Sequence, residues 1–248
     1  MKKDTLGKLR DIFIVVLIFV GLCMFVVNQN PDFKINLDSL HNYRELLLKG
    51  YWQTIWISIV SLIGSLFFGG ILFFMCISKI QVLRYLYIAF TQIALGVPLM
   101  VHVIVLYFFF TSAIGIRDPL IGGTLILSLY MGCYFAKTFE GAYKDLGTQQ
   151  FKMMHILQLP KSVCMTKIIL PQIIKGTLPT LTSHFSLLVK STALLSLISV
   201  PEFTNYINIF NSRTLQFVTG YIVLAVGYLT ITIPLSIFTM WLNKKVTK

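Results

Sequence analysis

The sequence has little acid. Asp and Glu number 9 against 21 Lys and Arg, and charged residues of both signs make up only 12% of the 248 positions, while 56% are hydrophobic. A chain so poor in charge does not build the polar shell of an ordinary soluble domain, and its composition is that of a polytopic membrane protein. Cysteine is scarce too: Cys23, Cys76 and Cys133 sit in apolar runs and Cys164 in a half-polar stretch. They share neither spacing nor depth, so neither a disulfide framework nor a metal site is indicated. A GxxxxGK[ST] phosphate loop is missing, as are the HExxH and GxSxG patterns, so the residues make no case for an enzyme and imply no cofactor. The net charge of +12 raises the question of nucleic acid, but a nucleic-acid binder gathers its basic residues on one continuous polar face. Here they lie between apolar spans, which points to membrane lipid and away from nucleic acid.

What the sequence has in abundance is long hydrophobic runs. A bilayer core needs about 20 apolar residues as helix, and six runs qualify: 11–28, 52–77, 86–112, 120–136, 177–200 and 215–242. Lys2, Lys3, Lys8 and Arg10 precede the first, but no small-residue cleavage site follows in LCMFVVNQNPD, so it reads as an uncleaved anchor rather than a signal peptide. The expected fold is an all-α membrane bundle of six spans. Basic bias orients it. The N-terminal tail, the 78–85 loop, the 137–176 segment and the C-terminus hold fifteen of the 21 Lys and Arg; the alternate loops hold five, and Lys190 falls inside a span. Both termini and the 137–176 segment are therefore expected in the cytoplasm.

Ser61, Ser65 and Gly69, and again Ser128, Gly132 and Ala136, recur every four residues, a pattern that lets neighbouring backbones approach, although chance in a chain rich in Ser and Gly produces it as well. Pro98, Pro179, Pro201 and Pro234 sit in or beside spans. Interrupted helices often mark a pathway, but proline is also simply commoner in membrane helices than in soluble ones.

The half-polar stretch is FKMMHILQLPKSVCMTKIILPQ, from Phe151 to Gln172, inside a connection of about forty residues. Connections that long are usually functional or disordered. Phe151, Met154 and Leu157, then Met165, Ile168 and Ile169, follow helical spacing, separated by Gln158, Leu159 and Pro160. This predicts two short helices around a tight turn, with proline in the first turn of the second. The pair could lie on lipid headgroups with Lys152, Lys161 and Lys167 snorkelling, or form a docking knob with Met153 and Met154 as adaptable contacts. The residues alone do not separate the two.

These residues resemble the polar amino-acid permeases of ABC importers, whose cytoplasmic "EAA" loop runs Glu-Ala-Ala, then glycine, then Leu-Pro-Gln. Ile169, Leu170, Pro171 and Gln172 keep the terminal ILPQ, Lys152, Met153 and Met154 occupy the Glu-Ala-Ala slot, and Gln158 occupies the glycine. The resemblance covers about 46–243: Leu46 with the following LLKGYWQT resembles the first core span, LGVPLMVHVIVLYF (95–108) the "RGTPL" segment, and KSTALLSLISVPEF (190–203) the "KDTSLL…IGVPEL" segment. It implies two regions, an anchor span with its external linker over 1–45 and a permease core over 46–248. It also implies ABC ATPase subunits on the loop through Lys152, Met153, Met154, Leu157, Gln158, Leu159 and Pro160, a second permease, and an extracytoplasmic substrate-binding protein, in a bacterial cell membrane. ATP would be hydrolysed by the partner. The chain departs from the family in sign at two positions, where an acid becomes Lys137 and an arginine becomes Glu140; as an (i, i+3) couple they can keep an ion pair with its polarity inverted. Inside the membrane the family's arginine falls at Leu95 and its aspartate at Ser191. Such departures suggest the diverged half of a heterodimer.

Lys190 is the only basic residue well inside a span, where an unpaired charge is costly, so it is a functional candidate facing the bundle interior or else snorkels from a tilted helix. With Pro98, Ser191 and Thr192 it is expected on the translocation path, near a helix broken between Pro179 and Pro201. Glu202 is expected at the external mouth, capping a helix or meeting a binding protein. His102 and His184 at span depth read as interhelical hydrogen-bonders rather than proton relays. An ion-coupled carrier would need acids deep in spans and internal repeats, and neither is evident; a non-transporting regulatory subunit is the remaining rival.

Overall fold

The computed structural model describes residues 37–246, together with Ile14, Leu17, Ile18, Gly21 and Phe25 of the first apolar run. The remainder of the expected anchor and the charges that precede it lie outside the described residues. Within the described residues all regular structure is helical.

Helix α1 (Leu37–Cys76) is 40 residues long, about 60 Å at 1.5 Å per residue. That is roughly twice a bilayer core, so one end projects from the hydrocarbon, and the chain runs unbroken through the boundary expected at 45/46. Helix α2 (Gln81–Gly96) and helix α3 (Leu99–Val105, continued by a π-helical turn over Leu106–Thr111) meet at a 108° bend. The run 86–112 is therefore not one straight span. The reason is local: Val97 is extended at φ −108°, ψ 136°, as a residue before proline prefers, and Pro98 starts α3 without a donor to lose. Helix α4 (Pro119–Asp145) begins with proline and is capped by Asp118, whose carboxylate accepts from Leu120 N at 2.8 Å.

Beyond α4 come α5 (Gly147–Ile156), α6 (Lys161–Val163) with a π-helical turn over Cys164–Ile169, and α7 (Leu170–Ser191). The long connection expected at 137–176 thus shrinks to 146–169, because α4 and α7 both extend past the lipid-like runs. Pro179 lies inside an unbroken α7, and the break falls later, in a 3₁₀ segment (Thr192–Ile198) that Ser199 ends in the left-handed conformation at φ 61°. Helices α8 (Phe203–Thr214) and α9 (Phe217–Val246) complete the chain. Among the described residues, four helical stretches are long and apolar enough to cross a membrane, or five if the bent α2–α3 pair counts as one.

The two small-residue stripes meet face to face, α1 against α4. A Cβ on Gly69 would sit 2.8 Å from Phe135 Cβ and 2.9 Å from the Gly132 carbonyl, and one on Gly132 would sit 3.2 Å from Gly69 N. Ser61 Oγ donates across the gap to the Thr124 carbonyl at 3.4 Å. Such close approach is how apolar helices gain contact in lipid, where no hydrophobic effect draws them together. The outer faces keep Trp52, Trp56, Phe67, Phe74 and Trp241 exposed, as lipid-facing surfaces do.

Candidate functional site

The connection between α4 and α7 folds as the residue spacing predicts, into two short helices about a turn, except that Pro160 caps α6 instead of sitting inside it. Met154 is 7% exposed and packs with Phe73, Ile169 and Ile173, with Leu159 and Phe151 closing around them. Burying these apolar groups holds the pair rigidly on the ends of α1 and α7. Met154 thus serves the fold of the knob rather than its surface. Lys152, Met153, Ile156, Leu157, Gln158 and Pro160 are exposed, with Ile156 the most open of the apolar ones. The turn closes with Leu157 N donating to Met153 O at 3.0 Å, Gln158 N to His155 O at 3.0 Å and Leu159 N to Met154 O at 3.2 Å. The last two are the paired bonds of a Schellman C-cap, and Gln158 takes its left-handed position at φ 49°. The conformation that suits glycine is therefore kept by a residue that carries a Cβ.

At the loop end of α4, Lys137 Nζ lies 2.9 Å from Glu140 Oε2 and Lys144 Nζ 2.8 Å from Glu140 Oε1. The expected (i, i+3) ion pair is present with its sign inverted. A third partner was not foreseen: the Tyr87 hydroxyl of α2 donates to Glu140 Oε2 at 2.6 Å, and Lys137 Nζ stands 4.9 Å over the Tyr87 ring. The carboxylate therefore ties α2 to α4.

Where α7 gives way to the 3₁₀ segment, Lys190 is exposed while Ser191 and Thr192 are buried. Ser191 Oγ donates to Leu187 O at 2.9 Å and Thr192 Oγ1 to Val189 O at 2.8 Å. Pro98 is exposed at the α2–α3 bend, on a different element from these three.

Glu202 is 0% exposed, so it does not present a surface at a mouth. It caps α8: Oε1 accepts from Asn205 N at 2.8 Å, while Oε2 accepts from Thr54 Oγ1 of α1 at 3.3 Å and from Tyr228 Oη of α9 at 3.2 Å. Thr54 Oγ1 in turn accepts from Phe203 N at 3.0 Å. Glycines make this convergence possible. A Cβ on Gly50 would sit 3.0 Å from Phe203 Cα and 3.2 Å from the Glu202 carbonyl, and one on Gly227 would collide with the Phe203 ring. Glu202 lies outside the candidate spans, and burial pushes its carboxyl up to about 7 against the pull of these hydrogen bonds. Thr54 and Tyr228 escaped the sequence reading. The only trace is a polar group within each apolar run, which does not say what it meets.

His184 makes the expected interhelical hydrogen bond, whereas His102 bonds within its own helix, its Nδ1 3.3 Å from Pro98 O, and meets a neighbouring helix only by ring packing. His184 Nε2 of α7 is 3.0 Å from Thr138 Oγ1 of α4, and His102 packs on Tyr130 with ring centroids 5.4 Å apart. Tyr134 stands between, its hydroxyl 3.3 Å from that of Tyr130 and its ring 5.6 Å from His184. Among the described residues no group of three or more His, Cys, Asp or Glu could hold a metal ion.

Comparison with known proteins agrees with this architecture. The family described as "Binding-protein-dependent transport system inner membrane component" matches residues 78–248. The probable glutamine ABC transporter permease protein GlnM of Bacillus subtilis (strain 168) is 29% identical over 215 residues, 86% of this chain and 99% of that one. A probable amino-acid ABC transporter permease protein of the same organism, YckA, is 32% identical over 203 residues, 80% and 88% of the two chains. Among solved structures, an amino acid ABC transporter superposes with a TM-score of 0.78 at 21% identity, covering 86% of this chain and 99% of its own, and the inward-facing MetNI methionine ABC transporter with 0.68 at 16%, covering 84% and 99%. Broken spans, a rigid loop knob and small-residue packing fit the match: the chain belongs to the binding-protein-dependent transport system inner membrane component family, a multi-pass component of the bacterial plasma membrane and not an enzyme.

Proposed function

We propose that the chain is the permease subunit of an ATP-driven importer of polar amino acids. It would build the translocation path with a second, homologous permease, receive substrate from an extracytoplasmic binding protein, and couple to ABC ATPase subunits that hydrolyse the ATP. The relatives' names support the substrate class, since GlnM and YckA are described as glutamine and amino-acid permeases. On this reading the first 45 residues add an anchor span before the core, giving six spans with both termini in the cytoplasm, and Lys190, Ser191, Thr192 and Pro98 border the path.

The observation that carries the coupling role is the knob itself. Met154 anchors it inward while Met153, Ile156 and Leu157 stay exposed beside Lys152. An apolar patch on a rigid, buried base can seat in a partner's cleft and pass that partner's closure to α1 and α7 as rigid-body motion. The ion-coupled alternative finds no support in Glu202, which is bonded within the fold of one chain. The test is reconstitution with an ABC ATPase and an extracytoplasmic binding protein that co-purify with the chain, measuring ATP hydrolysis against added glutamine and other polar amino acids. Stimulation only by a ligand that is not an amino acid rejects the substrate class. Purified complex with two identical permease chains rejects the heterodimer.

A further inference from the structure

Three elements converge on one buried carboxyl that has no charged partner among the described residues. The groups facing Glu202 are the Thr54 hydroxyl of α1, the Tyr228 hydroxyl of α9 and the N–H groups of Thr204 and Asn205 on α8; Tyr228 is the only titratable one among them. The same Tyr228 hydroxyl lies 3.0 Å from Thr204 Oγ1 and 3.5 Å from Thr192 Oγ1. A phenol has one proton to give. While Glu202 is ionised it only accepts, so Tyr228 gives its proton to the carboxylate. Thr192 cannot then complete a bond to Tyr228, because its own proton is committed to Val189 O at 2.8 Å. Once the carboxyl carries a proton it becomes a donor and Tyr228 can accept from it; with the nearer Thr204 hydroxyl donating to Tyr228 in both forms, the Tyr228 proton is free to turn to Thr192.

We propose that Glu202 is a positioning residue of the translocation path: a proton on its carboxyl reverses the hydrogen-bond chain through Tyr228 and clamps Thr192, at the start of the 3₁₀ segment, onto α9. The ionised form leaves that joint unmade and the 3₁₀ segment freer to move. Burial holds the carboxyl near neutrality, so both forms lie in a physiological range. That this joint borders the path rests on the permease reading above.

The test is an infrared titration of the full chain in lipid nanodiscs, following the C=O band of the protonated carboxyl. Wild type is expected to gain a band as pH falls through neutrality, and Glu202→Gln to lack it. Tyr228→Phe removes the charge-assisted bond, the stronger of the two, and raises the midpoint by about one to two pH units. Thr192→Val removes the acceptor that serves only the protonated form and lowers the midpoint by about half a unit. A merely structural carboxyl would not move in opposite directions in these two variants. A titrating band that persists in Glu202→Gln, or its absence from wild type, overturns the proposal, as does a midpoint unmoved by both other variants. In the reconstituted complex the pH profile of glutamine-stimulated ATP hydrolysis should shift in the same two directions, and a profile common to all three proteins overturns the positioning role. If no polar amino acid stimulates hydrolysis in wild type, the substrate reading fails, and the infrared result still decides the clamp.

Discussion

The N–H of Leu159 donates to the carbonyl of Met154 at 3.2 Å, closing the end of α5 over Gln158 in its left-handed turn. The two side chains also share one apolar cluster, so a backbone bond and a hydrophobic contact fix the same corner. Both features belong to a knob held to the rest of the chain by burial.

Gln158→Gly should stabilise this corner. A side chain at φ 49° costs about 1 kcal/mol, which glycine does not incur. The expected outcome is a higher thermal midpoint in detergent, with Gln158→Val lowering it because a β-branched residue fits that conformation worst.

Two substitutions to aspartate separate folding from docking. Met154→Asp places an unpaired carboxylate among Phe73, Ile169 and Ile173 and should destabilise the chain by roughly 2–5 kcal/mol. Leu157→Asp, at a 65% exposed site, should leave the thermal midpoint within about 0.5 kcal/mol of wild type yet abolish co-purification of the ATPase. Retained ATPase with Leu157→Asp would place the contact elsewhere.

The Glu140 hub ranks its own variants. Lys144 is 70% exposed in its side chain, so Lys144→Ala should cost at most about 1 kcal/mol. Glu140→Lys sets three cations beside one another at the Tyr87 ring and removes the acceptor for its hydroxyl, costing roughly 2–4 kcal/mol. Thermal denaturation of the three proteins gives the order, and Lys137→Glu should fall between because Lys144 still pairs with Glu140.

Stability should also fall with rising pH on account of Glu202. Its carboxyl is raised to about 7 from the ordinary 4.5, so the folded protein keeps a proton that the unfolded chain releases between those values. The contribution is full below about pH 4.5 and is lost as pH rises through about 7. Thermal midpoints measured from pH 5 to 8 should decline in wild type more steeply than in Glu202→Gln.

Much of the site was legible because it is written locally. The Lys137–Glu140 pair follows from helix spacing, and the knob's two helices follow from apolar periodicity interrupted at Gln158 to Pro160. The bend at Val97 follows from proline chemistry, yet the run around it was apolar enough to pass for one straight span. Met154 was legible as apolar but not as inward, since Met153 beside it is equally apolar and points out.

The sequence by itself determined a charge-poor membrane bundle, its apolar runs and the helical hairpin between α4 and α7. These depend on residues three or four apart, which share a helix face whatever the rest of the chain does. Only the tertiary structure decided that Glu202 is buried and bonded to Thr54 and Tyr228, that Tyr87 reaches Glu140, and where between Pro179 and Pro201 the helix breaks. Thr54 lies 148 residues from Glu202 in the chain. No local pattern reports such a contact, because burial is settled by which distant helices can approach, and here that is set by the glycines at 50 and 227.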